Sequence, residues 1–137
     1  MKKPTVLFVC VHNAGRSQMA AGYLKYLSHG TIEVLSAGSM PADQINPMAA
    51  AVMLEEDIDI TENKPKVLTT EAVQESDYVI TMGCGDVCPV FPGKKYLDWD
   101  LTDPAGKTIS DTRKIRDEIK QLVWGLIDEI RGKAKQI

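Results

Sequence analysis

Thr5-Val6-Leu7-Phe8-Val9-Cys10-Val11-His12-Asn13-Ala14-Gly15-Arg16-Ser17 is the stretch that decides the fold. Its first part, Thr5 to Val9, is continuously apolar rather than alternating, as expected of a short strand covered on both faces. Its last residue opens a helical pattern, Ser17 to Leu27, with Ala20, Leu24 and Leu27 on one side. Between them lies a cysteine, five residues, an arginine and a serine. A thiol at the end of a strand sits in a loop whose backbone N–H groups converge on one point. The following helix aims its positive end at the same point. Arg16 adds a planar cationic fork suited to a tetrahedral oxyanion. Residues Val11, His12, Asn13, Ala14, Gly15, Arg16 and Ser17 are therefore expected to form and support an oxyanion loop. Cys10, as thiolate, is placed to attack the anion's central atom. The alternative is a buried structural cysteine followed by a helix-start arginine. The position of the motif between strand and helix favours the first reading.

Outward from this loop, strand and helix patterns alternate. Ile32 to Ala37 reads as a second strand. Asn46 and Pro47 read as cap and first residue of a helix continuing from Met48 to Glu56. Thr69-Thr70-Glu71 caps a short helix ending near Ser76. Asp77 to Met82 reads as a third strand, Gly83 to Gly93 as a loop, and Lys95 to Trp99 as a fourth strand. Ser110 is expected to cap the last helix, in which Ile115, Ile119, Leu122, Val123, Leu126, Ile127 and Ile130 form one apolar stripe. The expected fold is α/β, a single domain spanning 1–137, with a four-stranded parallel sheet and helices on both faces. Ligands of such sheets bind at the carboxyl ends of strands, where Cys10 lies.

The bulk properties narrow the function classes. The chain has 137 residues, 44% hydrophobic and 26% charged, with a formal net charge of −3. That is the balance of an ordinary globular protein with room for a core. No basic run suggests nucleic acid. The apolar start is too short for a signal peptide or membrane span, so a cytoplasmic location is expected. Three cysteines in a reducing compartment favour reactive thiols over structural disulfides.

Asp103-Pro104-Ala105-Gly106 follows the fourth strand. Pro104 stiffens this loop and Gly106 lets it turn. An aspartate held there can face the thiol and protonate a leaving oxygen. With the strand into Cys10, the Cys-x5-Arg-Ser loop, the Asp-Pro loop and the long last helix, the chain resembles the low-molecular-weight protein tyrosine phosphatase family nearly end to end. The resemblance implies Cys10 as nucleophile, Arg16 as oxyanion holder and Asp103 as general acid. It also implies that Ser17 hydrogen-bonds the thiolate and that Asn13 braces the loop.

Gly83-Cys84-Gly85-Asp86-Val87-Cys88-Pro89 follows the third strand. A phosphatase needs no further thiols. A reductase does, because reduction of a bound oxyanion leaves an oxidised sulfur that a second thiolate must attack and a third can carry away. Two other readings are that Cys84 and Cys88 are small loop hydrophobes, or part of a zinc site. The latter lacks a standard ligand set, and no metal is expected. With this stretch, Asp98-Trp99 and Asp103-Pro104-Ala105-Gly106, the chain resembles the arsenate reductases built on the phosphatase fold. That resemblance implies arsenate as substrate and a relay from Cys10 to Cys84 to Cys88. It implies no tightly bound cofactor and an external thiol reductant: a thioredoxin-type protein, or mycothiol or glutathione with a glutaredoxin-type protein. Cys84 and Cys88 are closer together than the corresponding cysteines of well-known thioredoxin-coupled members. A monomer is expected.

Rival readings are a phosphotyrosine phosphatase, a non-enzymatic arsenic or oxyanion-binding module, and a phosphoryl-carrier domain of a sugar transport system. The phosphatase is disfavoured by an aromatic content of 6% with no tyrosine beside the Asp-Pro loop. His12 reads as a rim side chain, because Arg16, the helix end and Ser17 already favour a thiolate. His29 suits a helix end. Trp99 is expected beside the site, whereas Trp124 fits either the core or the surface.

Overall fold

The computed structural model describes residues 3–82, 92–104 and 106–135. Four strands, β1 (Thr5–Cys10), β2 (Glu33–Gly38), β3 (Tyr78–Thr81) and β4 (Lys95–Asp98), form one sheet in the order β2-β1-β3-β4. All three pairings are parallel, with Cys10 opposite Gly38, Val9 opposite Thr81 and Thr81 opposite Asp98. Four helices accompany them: α1 (Arg16–Leu27), α2 (Pro47–Leu54), α3 (Thr70–Glu75) and α4 (Ile109–Lys135). The chain leaves β1 toward β2 on one side and leaves β3 toward β4 on the other. The carboxyl ends of β1 and β3 therefore flank the point where the winding reverses, the usual ligand crevice of open α/β sheets.

Strand alternation explains the two layers. Val6, Phe8 and Cys10 share a core with Met19, Leu24, Met53, Ile119 and Val123, from α1, α2 and α4. Leu7 and Val9 point the other way and pack with Val79 and with Val73 of α3. Both faces are thus covered, which is why the run from Val6 to Val9 is apolar without interruption and fully buried. Burying one such side chain contributes about 1.5–3 kcal/mol. Phe8 also meets the Trp99 ring at 5.7 Å between centroids, tilted by 47°.

Helix starts follow their caps. Asn46 Oδ1 accepts from the N–H groups of Met48 and Ala49, with Pro47 at the first helical position. Thr69 Oγ1 accepts from Ala72 N. The last helix departs from expectation. Thr108, not Ser110, is its cap: Thr108 Oγ1 accepts from Asp111 N at 3.1 Å, and α4 begins at Ile109. A side-chain oxygen reaches the N–H two or three residues on, so only a residue before the first turn can serve. The apolar stripe of α4 is core as expected, with Ile119, Val123 and Ile127 fully buried, and Trp124 lies on the surface. The end of α2 is clasped to α4 by Arg113 and Arg116 on Glu55 and by Lys120 on Glu56. The Arg113 hydrogen bonds hold Glu55 below the ordinary carboxylate range. Among the described residues no helix is long and apolar enough to cross a membrane.

Gly38, at the end of β2, is where the fold makes room for the Cys10 loop. A Cβ there would lie 2.6 Å from Val11 O and 2.9 Å from Asn13 N, both backbone atoms. Gly38→Ala must therefore push the loop off the sheet. Its expected cost is about 1–3 kcal/mol, as for other overpacking changes, read as a fall in the denaturation midpoint with an unchanged m-value.

Candidate active site

The residues following Cys10 fold back over the end of β1 because the segment 40–46 receives their carbonyls. Val11 O accepts from Met40 N at 2.8 Å, His12 O from Ala42 N at 2.9 Å and Ala14 O from Asn46 N at 2.9 Å. A trans peptide points its N–H opposite to its C=O. The N–H groups of His12, Asn13 and Gly15 therefore face away from that segment. For Asn13 the target is seen directly, since its N–H donates to Cys10 Sγ at 3.3 Å. Asn13 adopts φ 51°, a left-handed turn that asparagine tolerates better than most residues. Gly15 is the residue before α1 and caps it with no side chain, which leaves the first-turn N–H groups open to an anion.

The Cys10 thiol is buried, 2% exposed, at the floor of this loop. Its surroundings have a determinate hydrogen-bond polarity. Lys66 N, which can only donate, reaches Asn13 Oδ1 at 2.8 Å. That contact fixes which end of the Asn13 carboxamide is oxygen. Asn13 Nδ2 then donates to Ser17 Oγ at 2.7 Å. The Ser17 hydroxyl lies 2.9 Å from Cys10 Sγ, and it is the donor whenever the sulfur is a thiolate, which can only accept. The sulfur thus sits between the Ser17 hydroxyl and the Asn13 backbone N–H.

Arg16 is buried, with its side chain 8% exposed. Its guanidinium donates to Leu101 O at 3.4 Å and lies 3.5 Å from Asp103 Oδ2. Asp103 is more open, with its side chain 44% exposed. Pro104 packs on the loop, for a Cβ on Gly15 would stand 2.8 Å from its Cγ. The Asp-Pro turn is thus seated on the Cys10 loop by one proline–glycine contact and one ion pair. Residues 87 positions apart in sequence, Arg16 and Asp103, meet at a single site.

The fold brings together Cys10, Asn13, Arg16, Ser17 and Asp103, with Val11, His12, Ala14 and Gly15 forming the loop between them. His12 is exposed on the rim, its Nδ1 3.1 Å from Met40 O. Trp99 is buried against Phe8 beneath the site. Cys84 and Cys88 lie outside the described residues. Three contributors were not anticipated from sequence: Gln18, the Lys66 backbone and the Leu101 carbonyl. The first had a faint signal, a glutamine in a turn otherwise flanked by small and apolar residues. Backbone groups carry no sequence signal of their own.

This arrangement is that of a known class. The chain belongs to the low molecular weight phosphotyrosine protein phosphatase family, whose model matches residues 5–136. Within it, the chain is 39% identical over 124 residues to the arsenate reductase of Staphylococcus aureus strain N315, covering 88% of this chain and 93% of that protein. It resembles the solved thioredoxin-dependent arsenate reductase of Corynebacterium glutamicum with a TM-score of 0.86 and 45% identity. That match covers 96% of this chain but only 63% of the Corynebacterium chain. An arginine phosphatase from Geobacillus stearothermophilus matches with a TM-score of 0.84 at 28% identity, over 95% of this chain and 94% of that one.

Proposed function

We propose that this protein reduces arsenate to arsenite, acting as a single monomeric domain of the cytoplasm with arsenate as substrate and an external thiol protein as partner. The observation that carries this reading is a hydrogen-bonded thiol, Cys10, in a sequence that holds two further cysteines. Cys84 and Cys88 follow directly in sequence on β3, which pairs with β1. The likeness to arsenate reductases over nearly the whole chain supports it.

The chemistry follows from the residues. Arsenate enters the loop, held by its N–H groups and by the Arg16 fork. The Cys10 thiolate attacks arsenic, and a hydroxyl leaves as water with a proton supplied by Asp103. Cys84 then attacks the Cys10 sulfur. The electron pair of the sulfur–arsenic bond passes to arsenic, which leaves as arsenite, and a Cys10–Cys84 disulfide forms. Cys88 attacks Cys84, Cys10 is released as thiolate, and the Cys84–Cys88 disulfide passes to the reductant. No tightly bound cofactor enters this scheme. Reducing surroundings, which keep all three thiols available, suit it.

The test is arsenate-dependent NADPH oxidation with thioredoxin and thioredoxin reductase. Sustained turnover is expected, many cycles per enzyme. If turnover appears only with glutathione or mycothiol and a glutaredoxin-type protein, the reaction stands and the reductant is reassigned. Failure with every reductant, together with rapid hydrolysis of aryl phosphates or phosphoarginine, would establish the phosphatase reading that the shared anion loop and the Geobacillus likeness support.

A further inference from the structure

We infer that Gln18 is a positioning residue, which acts on the Cys10 thiolate through Asn13. It rests on the reading of Cys10 as the reacting thiol, but not on arsenate as the substrate.

Gln18 stands in the first turn of α1 and is 2% exposed. Burying a glutamine is costly unless both ends of its amide are paired, and its flexible side chain gives up rotamer freedom as well. Here both ends are paired. Gln18 Nε2 donates to Asn13 Oδ1 at 3.1 Å, and Gln18 Oε1 accepts from Asn63 Nδ2 at 3.1 Å. The polarity of this row is set at one point. Lys66 N donates to Asn13 Oδ1, so Gln18 must present its NH2 to the same oxygen and its own oxygen to Asn63. Both lone pairs of Asn13 Oδ1 are then filled.

The consequence reaches the sulfur in two further bonds. With Oδ1 held between Lys66 N and Gln18, the Asn13 Nδ2 is aimed at Ser17 Oγ, and when Cys10 is a thiolate the Ser17 hydrogen is directed to it. Without Gln18, the carboxamide loses one of the three hydrogen bonds that hold it and can rotate more freely about its last bond. When it does, Ser17 no longer receives a donor, and its hydroxyl is free to turn from the sulfur. Linked hydrogen bonds of this kind polarise one another, so the effect at sulfur exceeds that of one distant contact. Gln18 acts through Asn13 and is not itself a catalytic residue. Apolar packing alone would be met as well by methionine, which has nearly the same shape.

The experiment compares wild type with Gln18→Met in the full chain. It follows alkylation of Cys10 by iodoacetamide against pH, with the modified Cys10 peptide counted by mass spectrometry so that Cys84 and Cys88 do not contribute. The expected result is a rate at neutral pH lower by about 3- to 10-fold, with the profile moved to higher pH and an unchanged plateau. Protection by arsenate should persist at the same arsenate concentration. Combined with Asn13→Ala, the Gln18 effect should vanish, since Gln18 acts only through that residue. A Gln18→Met profile that superimposes on wild type overturns the proposal, as does a Gln18 effect of full size in the Asn13→Ala background. Should Gln18→Met fail to fold, Asn63→Ala releases the exposed end of the same row and should lower the neutral-pH rate by about 2-fold, and an unchanged rate there overturns the proposal. Loss of arsenate protection in wild type would instead count against the substrate assignment, leaving Gln18 unaffected.

Discussion

Cys10→Ser is expected to lower arsenate-dependent NADPH oxidation by at least ~10⁴-fold, to background, as removal of a catalytic nucleophile does. Two causes act together. A serine hydroxyl is a far weaker acid and a poorer nucleophile than a cysteine thiol in the same loop. Serine also cannot form the disulfide whose formation delivers two electrons to arsenic, so no environment rescues the variant. The substitution is nearly isosteric and the site is buried, so the fold and the loop's N–H groups should remain. Phosphate or arsenate binding measured by calorimetry should then stay within a few-fold of wild type. Turnover by Cys10→Ser would sink the assignment of the nucleophile. Lost turnover with lost anion binding and a lowered denaturation midpoint would mean only that the loop had collapsed.

Cys84→Ser is expected to divide the two chemistries that this fold supports. Hydrolysis of a phosphate ester ends when water attacks a phosphocysteine, and no second thiol takes part. Reduction cannot end that way. After Cys10 has bonded to arsenic, a thiolate must take the Cys10 sulfur before arsenite can leave. Thioredoxin-coupled turnover should therefore fall by about 10³-fold or more, the scale seen when a residue essential to one step is removed. Aryl phosphate hydrolysis should stay within about 2-fold of wild type, because Cys10, Arg16 and Asp103 are untouched. Arsenate turnover retained at full rate with thioredoxin would remove Cys84 from the relay. Turnover restored by glutathione alone would show that a small thiol takes its place.

Sequence and structure contributed different parts of this picture. The parallel order was legible because β1 is apolar on both faces and helical patterns separate the first strand from the second and the second from the third. Asn46 and Thr69 were legible as caps because a short polar side chain before a helix has one favourable use. Ser110 was misjudged for a related reason. Thr108 and Ser110 carry the same hydroxyl, and only the position of the first turn chooses between them. Trp124 shows a like ambiguity: a long helix does not state where its stripe ends until its neighbours are placed.

The Cys10 loop was legible in the sequence alone, since contact between residues 10 and 17 is local and the spacing of strand, loop and helix leaves little choice. Pairing Arg16 with Asp103 required the fold, because two distant segments must first be carried to the same edge of the sheet. The polarity of the row from Lys66 through Asn13 to Ser17 was decided by tertiary structure only. A carboxamide is a donor at one end and an acceptor at the other, and nothing in its own sequence says which end faces a neighbour. A backbone N–H brought in from residue 66 settles that, and it aims the Asn13 Nδ2 at the Ser17 hydroxyl beside the sulfur.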